Sequence, residues 1–332
     1  MVENEDIMTN HGRVLVTGGA GFLGSNVAAA LLKDDYSVVI LDNFSNGKML
    51  HLEKIKNHPN LKIVRGDIVQ KDVVRDAMKD CQYVIHLAVL DLRQSIKEPA
   101  KVNDVIVNGT MNCLEVSLEN DIRLFLNCSS SEVYGTANYI PMDEKHPLHP
   151  ETPYAAAKVA QDMYVYSYGR TYGLQWTTIR PFNMYGPNSH WQRFRGELIP
   201  KMIVRAMNDQ PLPITGNGTE TRDWTYVEDI VDGLLRMGIK EEAIGEAINL
   251  GSGHDHHVKD MAEMINGLTG NKSGIKYTER RDWDVKTSLL SSIEKAQNIL
   301  GYKPKMGFKD GLKKTHQWFI DNWENIAGSV EF

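Results

Sequence analysis

The chain has 332 residues, of which 42 % are hydrophobic and 24 % charged, and its formal net charge is -6. With 37 basic and 43 acidic residues and no basic block, the sequence argues against a surface that binds nucleic-acid phosphates. No apolar run approaches the roughly 20 residues that span a bilayer. We therefore expect no nucleic-acid partner and no membrane insertion. We also expect residues 1–10 to be a disordered tail, and three scattered, reduced cysteines to indicate a cytoplasmic protein.

The first half of the chain alternates predicted strands with predicted helices. Residues 13–17 form a short β-branched run that glycines stop, which predicts a buried strand. A helix is expected over 24–33 and a second strand over 37–42. Further strands are predicted at 61–64, 83–87, 124–128 and 176–180, and further helices at 102–118 and 155–172. This alternation, with nearly continuous apolar strands, predicts an α/β fold with a doubly wound parallel sheet.

The regular alternation weakens after residue 186, which suggests a second, smaller lobe. A helix over 227–237 and a strand over 247–250 are expected to return to the main sheet. We therefore predict a larger domain made of 11–186 and 224–252. The smaller lobe, interleaved with it in sequence, comprises 187–223 and 253–332.

A glycine-rich turn joins the first predicted strand to the first predicted helix. Its glycines are Gly18, Gly21 and Gly24, and they let the backbone approach a pyrophosphate at the helix N-terminus. Asp42 ends the second strand, where a carboxylate accepts hydrogen bonds from a ribose 2′-hydroxyl and repels a 2′-phosphate. No arginine or lysine follows Asp42 until Lys48. The pattern predicts a Rossmann domain that binds NAD in preference to NADP.

A tyrosine and a lysine stand four residues apart on one predicted helix. Tyr154 and Lys158 therefore share a helix face. A nearby ammonium and a positive nicotinamide ring both favour phenolate, which lowers the phenol pKa from about 10. Tyr154 is then suited to take a proton from a sugar hydroxyl as hydride passes to NAD, with Lys158 holding the nicotinamide ribose. A serine-rich segment over 129–135 follows another predicted strand, and ligands meet that end of such strands.

Together these motifs resemble the extended short-chain dehydrogenases/reductases of the NAD-dependent epimerase/dehydratase family, which act on nucleotide sugars. The resemblance covers nearly all of residues 12–310. Further matching segments are 86–88, 180–187, 222–229 and 300–304. The resemblance implies NAD as cofactor, a UDP- or dTDP-linked sugar as substrate, and a homodimer formed through the helices near 102–118 and 155–172.

The resemblance also implies roles for individual residues. Ser130 matches the residue that shares the sugar 4-hydroxyl with Tyr154. Asn183, Arg222 and Arg281 match residues that hold the substrate diphosphate, for which arginine is well suited. Further cofactor contacts are expected from Phe22, Leu23, Asn43, Asp67, Ile68, Leu87 and Ala88, and further substrate contacts from Arg93, His190 and Leu198.

Glu132 bears on which reaction follows oxidation at the sugar C4. Family epimerases usually carry a small or uncharged residue there, whereas dehydratases and uronate decarboxylases carry glutamate, and Ser131 before it resembles their Ser-Glu pair. A glutamate near C5 and C6 supplies a general base, so we expect 4,6-dehydration or decarboxylation. A 4-epimerase is the alternative, as is a Glu132 that only forms a salt bridge. A non-catalytic NAD-sensing scaffold is an alternative of another class.

Three segments depart from the family pattern or invite another interpretation. The segment over 89–95 is one residue short, and its Arg93 either faces a substrate carboxylate or is a surface charge. The loop over 189–195 is unusual and is expected to shape sugar choice. The histidine-rich segment over 254–257 follows a family loop and is expected to be a solvated helix start. We therefore predict no metal site.

Overall fold

Seven parallel strands form the central sheet in the computed structural model, which describes residues 8, 12–192, 196–280 and 286–329. The order across the sheet is β11-β6-β5-β4-β1-β2-β3. The strands are β1 (Arg13–Thr17), β2 (Ser37–Asp42), β3 (Leu61–Arg65), β4 (Tyr83–His86), β5 (Leu124–Cys128), β6 (Trp176–Pro181) and β11 (Ala247–Leu250). Every pair is parallel, so the predicted doubly wound parallel sheet is confirmed.

Helices cover both faces of this sheet. They are α1 (Phe22–Lys33), α2 (Lys71–Met78), α3 (Leu92–Lys97), α4 (Pro99–Asn103), α5 (Gly109–Glu119), α6 (Pro153–Tyr172), α8 (Val227–Ile239) and α10 (Glu294–Leu300). The helix predicted over 102–118 is found as α4 and α5 joined by a π-helical turn at Asp104–Asn108. In the part of the chain that the structure describes, no helix has both the length and the apolar character to cross a membrane.

Successive residues of the sheet strands point to opposite faces and enter different cores. In β1, Val14 and Val16 join one core with α1 and α8, whereas Leu15 joins the core on the other face. In β2, Ile40 and Leu41 divide in the same way. Apolar residues at every position are therefore needed because both faces of a parallel sheet are covered.

The smaller lobe has short strands and its own apolar core, which includes Met202, Met261 and Phe319. Its strands are β7 (Met184–Tyr185), β8 (Leu212–Thr215), β9 (Thr221–Arg222), β10 (Thr225–Tyr226), β12 (His256–His257), β13 (Ile275–Thr278) and β14 (Ser288–Leu289). The sequence grouped β7 and β10 with the larger domain, but Tyr185 and Tyr226 pack into the core of the smaller lobe. Its helices are α7 (Leu198–Ala206), α9 (Val258–Thr269), α11 (Phe308–Asp321) and α12 (Trp323–Ala327). Helix α10, which the sequence grouped with this lobe, packs through Ala296 and Leu300 into the core of the larger domain.

Met8 is the one described residue of the predicted N-terminal tail. Its side chain is buried, its N–H donates to the carbonyl of Gly238 at 3.0 Å, and its carbonyl accepts from the hydroxyl of Tyr36 at 3.0 Å. The other residues of 1–10 lie outside the described residues, so the tail remains a prediction except at this anchored position.

Candidate active site

The carboxyl ends of the sheet strands lie at one edge and open into a cavity of about 960 Å³ between the two lobes. The register aligns them, since Thr17 pairs with Leu41 on one side and with His86 on the other. The predicted residues that line this cavity are Gly18, Gly21, Phe22, Leu23, Gly24, Asp42, Asn43, Asp67, Ile68, Leu87, Ala88, Arg93, Ser130, Glu132, Tyr154, Lys158, Asn183, His190, Leu198 and Arg222. Ser131 is buried outside the lining, and Arg281 lies outside the described residues.

The glycines of the turn stand where a side chain would collide with the backbone. Gly18 has a φ of 67°, and a Cβ there would lie 2.8 Å from the Cα of Ala88. A Cβ on Gly24 would lie 2.2 Å from the carbonyl oxygen of Gly18. No described side chain caps the start of α1, so its first N–H groups can bind an anion. The turn therefore fits the pyrophosphate of a dinucleotide.

Asp42 is held by the backbone at the end of β2. Its carboxylate accepts from the N–H of Ala20 at 2.9 Å and of Phe44 at 2.7 Å. Burial raises the pKa of Asp42, although these two bonds oppose the shift. Because each carboxylate oxygen has two lone pairs, each can also accept from a ribose hydroxyl. Next to it, the amide of Asn43 donates to the carboxylate of Asp67 at 2.8 Å.

Local interactions at its first turn fix the start of α6. The hydroxyl of Thr152 caps the helix by accepting from the N–H of Ala155 at 3.2 Å, and the hydroxyl of Ser95 accepts from the N–H of Tyr154 at 3.1 Å. One turn on, the buried ammonium of Lys158 donates to the carbonyl of Cys128 at 2.7 Å. Tyr154 and Lys158 thus reach the cavity from one helix face, beside the end of β5.

The charge environment of Tyr154 differs from the sequence-based expectation. Burial raises the pKa of Tyr154, and a hydrogen bond with Ser130 opposes this only in part. Burial also lowers the pKa of Lys158, whose ammonium is turned toward Cys128 and Gln161. In the protein alone the net shift of the Tyr154 pKa is therefore upward, opposite to the expected direction, because loss of hydration is the largest effect. The positive nicotinamide ring is the remaining predicted source of a lower pKa.

A chain of buried polar groups lies behind Lys158, and the sequence analysis missed it. The amide oxygen of Gln161 accepts from the Lys158 ammonium at 2.8 Å, and its nitrogen donates to the hydroxyl of Thr110 at 3.0 Å. His86 follows, with Nε2 2.9 Å from that hydroxyl and Nδ1 2.8 Å from the hydroxyl of Thr17. Burial lowers the pKa of His86 to about 3, so the imidazole is neutral. These hydrogen bonds connect Lys158 to β1, the strand that precedes the glycine turn.

Glu132 lines the cavity and also forms an ion pair. Its carboxylate binds the ammonium of Lys286, whose side chain also lines the cavity. The carbonyl of Lys286 in turn accepts from the guanidinium groups of Arg222 at 3.1 Å and Arg280 at 3.2 Å. Sequence reasoning missed Lys286 because it is 154 residues from Glu132. Its nearness in sequence to Arg281, a predicted diphosphate ligand, was the available signal.

Two of the predicted diphosphate-binding residues, Asn183 and Arg222, line the cavity. The amide nitrogen of Asn183 is buried and makes no hydrogen bond within the described residues, so it is a donor available to a ligand oxygen. Arg222 donates to the carbonyl of Thr221 at 2.8 Å and lines the cavity. Arg280, which was not predicted, also lines it and lies 3.7 Å from Glu220. These donors fit an anionic ligand.

The remaining predicted substrate residues are Arg93 in α3, His190 in a loop and Leu198 at the start of α7. Arg93 donates to the carbonyl of Gly196 at 2.8 Å and lines the cavity, so it is not a surface charge. His190 Nδ1 lies 3.1 Å from the carboxylate of Glu197. Burial lowers the pKa of His190, but the charge and hydrogen bond of Glu197 reverse this, and the net shift is upward.

The histidine-rich segment holds stacking partners. His256 stacks on Phe308 with ring centroids 4.3 Å apart. Across the described ranges, no three His, Cys, Asp or Glu side chains are grouped so that they could hold a metal ion.

Comparisons with known proteins agree with this geometry. A family model described as GDP-mannose 4,6 dehydratase matches residues 15–315. The epimerase Mth375 from Methanothermobacter thermautotrophicus is 43 % identical, with a TM-score of 0.93 over 97 % of this chain and 96 % of that one. The dTDP-glucose 4,6-dehydratase DesIV from Streptomyces venezuelae, solved with NAD and TYD bound, is 28 % identical, with a TM-score of 0.88 over 94 % and 98 %. A UDP-glucose 4-epimerase from Mycolicibacterium smegmatis is 31 % identical over 92 % and 98 %.

The parallel sheet, the glycine turn and the tyrosine–lysine pair define an NAD-dependent enzyme of the extended short-chain dehydrogenase/reductase class. Within that class, the chain belongs to the NAD-dependent epimerase/dehydratase family, whose members modify nucleotide sugars. NAD is its cofactor, in agreement with the NAD-bound structure of DesIV and with the fit of the glycine turn.

Proposed function

We propose that the protein is a nucleotide-diphosphate-sugar 4,6-dehydratase, with UDP-glucose as the first substrate to test. The observation that carries this proposal is the position of Glu132, whose carboxylate lines the same cavity as Tyr154 and Ser130. Epimerisation at C4 needs no carboxylate beside the reacting carbons. Removal of the C5 proton does need a base, and a glutamate in a half-buried site supplies one.

Substrate binding is divided between the two lobes. Asn183 and Arg222 hold the diphosphate, since one offers an amide donor without a partner among the described residues and the other a guanidinium on the cavity wall. Gly18 and Gly24 line the cavity where the cofactor pyrophosphate would meet the start of α1, and Asp42 binds the adenosine ribose. Together they direct the sugar toward Tyr154.

The chemistry begins at the sugar C4. The glycine turn and Asp42 would hold NAD, which would supply the hydride acceptor for C4 and, after water loss, the hydride donor for C6. Tyr154 takes the proton of the 4-hydroxyl while Ser130, its hydrogen-bond partner, orients that oxygen. The resulting ketone acidifies the C5 proton, which Glu132 removes. Loss of the C6 hydroxyl as water then gives the unsaturated ketone, so Glu132 separates this reaction from a simple epimerisation.

A 4-epimerase is the second candidate, and specific observations favour it. The epimerase Mth375 is 43 % identical over 97 % of this chain, and a UDP-glucose 4-epimerase is 31 % identical. In that case Glu132 serves only to pair with Lys286.

Mass spectrometry of the reaction products separates these functions. The protein is incubated with UDP-glucose, UDP-glucuronate, dTDP-glucose and UDP-N-acetylglucosamine. A dehydratase product is lighter by one water, a decarboxylase product by one carbon dioxide, and an epimerase product has unchanged mass. For the dehydratase, Glu132→Gln is expected to lower water loss by about 100-fold or more. Glu246→Gln is the matched control, because Glu246 pairs with Lys295 at 2.6 Å outside the cavity. Unchanged mass with every sugar would overturn the proposal.

We also propose that the enzyme works as a homodimer in the cytoplasm. Helix α6 exposes several large apolar and aromatic side chains, among them Met163, Tyr164, Tyr166 and Tyr172. Exposed apolar side chains of this kind are commonly covered at protein interfaces. All three cysteines, Cys81, Cys113 and Cys128, are buried and unpaired, which suits a reducing compartment. Light scattering is expected to give twice the chain mass, and a monomer would contradict the dimer.

A further inference from the structure

We propose that Lys286 is the proton donor to the leaving C6 hydroxyl, acting beside Glu132 as the base. The inference deepens the proposed dehydratase function and rests on it. Lys286 precedes β14 and reaches the cavity from the smaller lobe, whereas Glu132 reaches it from the end of β5. The two lobes thus bring an ammonium and a carboxylate together at the predicted sugar site.

The position of Lys286 is fixed by the groups around it. Its side chain is 10 % exposed and that of Glu132 is 20 % exposed, so both are shielded yet in contact with the cavity. Its carbonyl accepts from Arg222 and from Arg280. Because Arg222 is a predicted diphosphate ligand, the guanidinium expected to bind the diphosphate also donates to the backbone carbonyl of Lys286. Binding of the nucleotide is therefore expected to set the distance between the sugar C6 and Lys286.

The reaction needs an acid at this place. Hydroxide is a poor leaving group, so the C6 oxygen must receive a proton as its bond to carbon breaks. Tyr154 and Ser130 are assigned to the oxygen on C4. Ser131, next to the base, is buried outside the cavity lining. Lys286 is the ammonium that directly contacts Glu132, and it lines the cavity.

The atoms balance in one elimination. The C5–H bond breaks, its proton passes to the Glu132 carboxylate, and its electron pair forms the C5=C6 bond. The C6–O bond breaks, and the oxygen leaves as water with a proton from the Lys286 ammonium. This leaves a neutral amine beside a carboxylic acid in hydrogen-bond contact, and transfer of one proton from Glu132 to Lys286 restores the ion pair.

Stability alone is a poor explanation for this pair. A shielded ion pair loses hydration on both partners, and apolar replacements are often as stable. By comparison, the Lys295–Glu246 pair lies outside the cavity, and its glutamate side chain is 43 % exposed to solvent. The shielded pair instead places a donor and an acceptor of protons at the wall of the cavity that Tyr154 and Ser130 also line.

Two variants of Lys286 test the proposal with UDP-glucose in deuterium oxide. Deuterium at C5 of recovered sugar, read by NMR, reports the base, and loss of water, read by mass spectrometry, reports the acid. Lys286→Met is expected to lower water loss by about 100-fold while C5 exchange stays within about threefold. Lys286→Arg keeps the positive charge beside Glu132 but donates a proton poorly, so the same split is expected. Lys295→Met is the matched control and leaves both readouts unchanged.

A substrate analogue separates proton donation from mere positioning. Fluoride leaves from UDP-6-deoxy-6-fluoro-glucose without a proton, so Lys286→Met is expected to release fluoride within about tenfold of the unmodified enzyme. If both variants lose C5 exchange and water loss to the same extent, Lys286 is not the proton donor. The same follows if Lys286→Met releases fluoride as slowly as it loses water. Neither result contradicts the dehydratase function. Wild-type protein that exchanges C5 but never loses water overturns both proposals.

Discussion

The ammonium of Lys158 lies 2.8 Å from the amide oxygen of Gln161, one turn further along α6. Gln161 is fully buried, and its amide nitrogen donates to the hydroxyl of Thr110 at 3.0 Å. The acceptor of the Lys158 ammonium is therefore itself fixed in place. The predicted catalytic lysine is thus positioned before any ligand binds.

We predict that Gln161→Leu slows reduction of the bound nicotinamide by about 10-fold or more, since a hydrogen bond to a charged group contributes about 1.5–3 kcal/mol. Loss of the acceptor also lowers the pKa of Lys158 further, in the direction that burial already shifts it. The pH dependence of single-turnover absorbance measures both effects. Gln161→Glu keeps an acceptor and is expected to stay within about threefold of wild type. Equal rates in all three proteins would contradict a positioning role.

Gly24→Ala is expected to abolish retention of NAD during purification. Its Cβ would lie 2.2 Å from the carbonyl oxygen of Gly18, so the glycine turn must open. Gly267→Ala is the control, because Gly267 lies within α9 and a Cβ there meets no described atom within 4 Å. That change is expected to stabilise the protein by about 0.5–1 kcal/mol. Absorbance measures the cofactor content of each variant, and calorimetry measures its Tm. NAD retained by Gly24→Ala would contradict the assignment of the glycine turn as the pyrophosphate site.

Removing the Tyr154 hydroxyl with Tyr154→Phe is expected to lower the single-turnover rate by about 10²–10⁴-fold. Because burial raises the Tyr154 pKa in the protein alone, the phenol stays protonated well above neutral pH without cofactor. Loading with NAD is expected to move the titration to lower pH, which NMR of labelled tyrosine can follow. A Tyr154 pKa that does not respond to NAD would contradict the arrangement of phenol and nicotinamide.

Acid is expected to destabilise the fold through buried histidines. Burial lowers the pKa of His51 from 6.5 to about 4, so the unfolded chain binds more protons than the folded one between these values. Stability is therefore full above pH 6.5 and falls as pH drops toward 4, by at most about 1.4 kcal/mol per pH unit from this group. His51→Gln keeps a donor for the carbonyl of Ala20 and is expected to flatten that slope in urea titrations. An unchanged slope would show that His51 does not carry it.

Local patterns in the sequence predicted most of the fold. The strands of the main sheet follow from short apolar runs, and those predicted at 13–17, 37–42 and 124–128 have the observed bounds. Glycines and strand ends likewise pointed to the cavity, because parallel strands bring their carboxyl ends to one edge. These features depend on neighbours in sequence or on topology, and both can be read from one chain.

Contacts between distant residues were not predictable in this way. Lys286, the ion-pair partner of Glu132, lies in the smaller lobe, 154 residues further along the chain, and no local sequence pattern predicts that pairing. The upward shift of the Tyr154 pKa depends on how deeply the phenol is buried, which only the packed structure determines. Packing of α10 into the larger core likewise depends on where the chain returns after the second lobe.

A crystal structure of the complex with NAD and UDP-glucose is the measurement that tests the central claim most directly. The account predicts the sugar 4-hydroxyl within about 2.6–3.2 Å of the Tyr154 phenol, with Glu132 facing C5. A sugar bound with its C4 turned away from Tyr154, or a nicotinamide outside the 960 Å³ cavity, would contradict it.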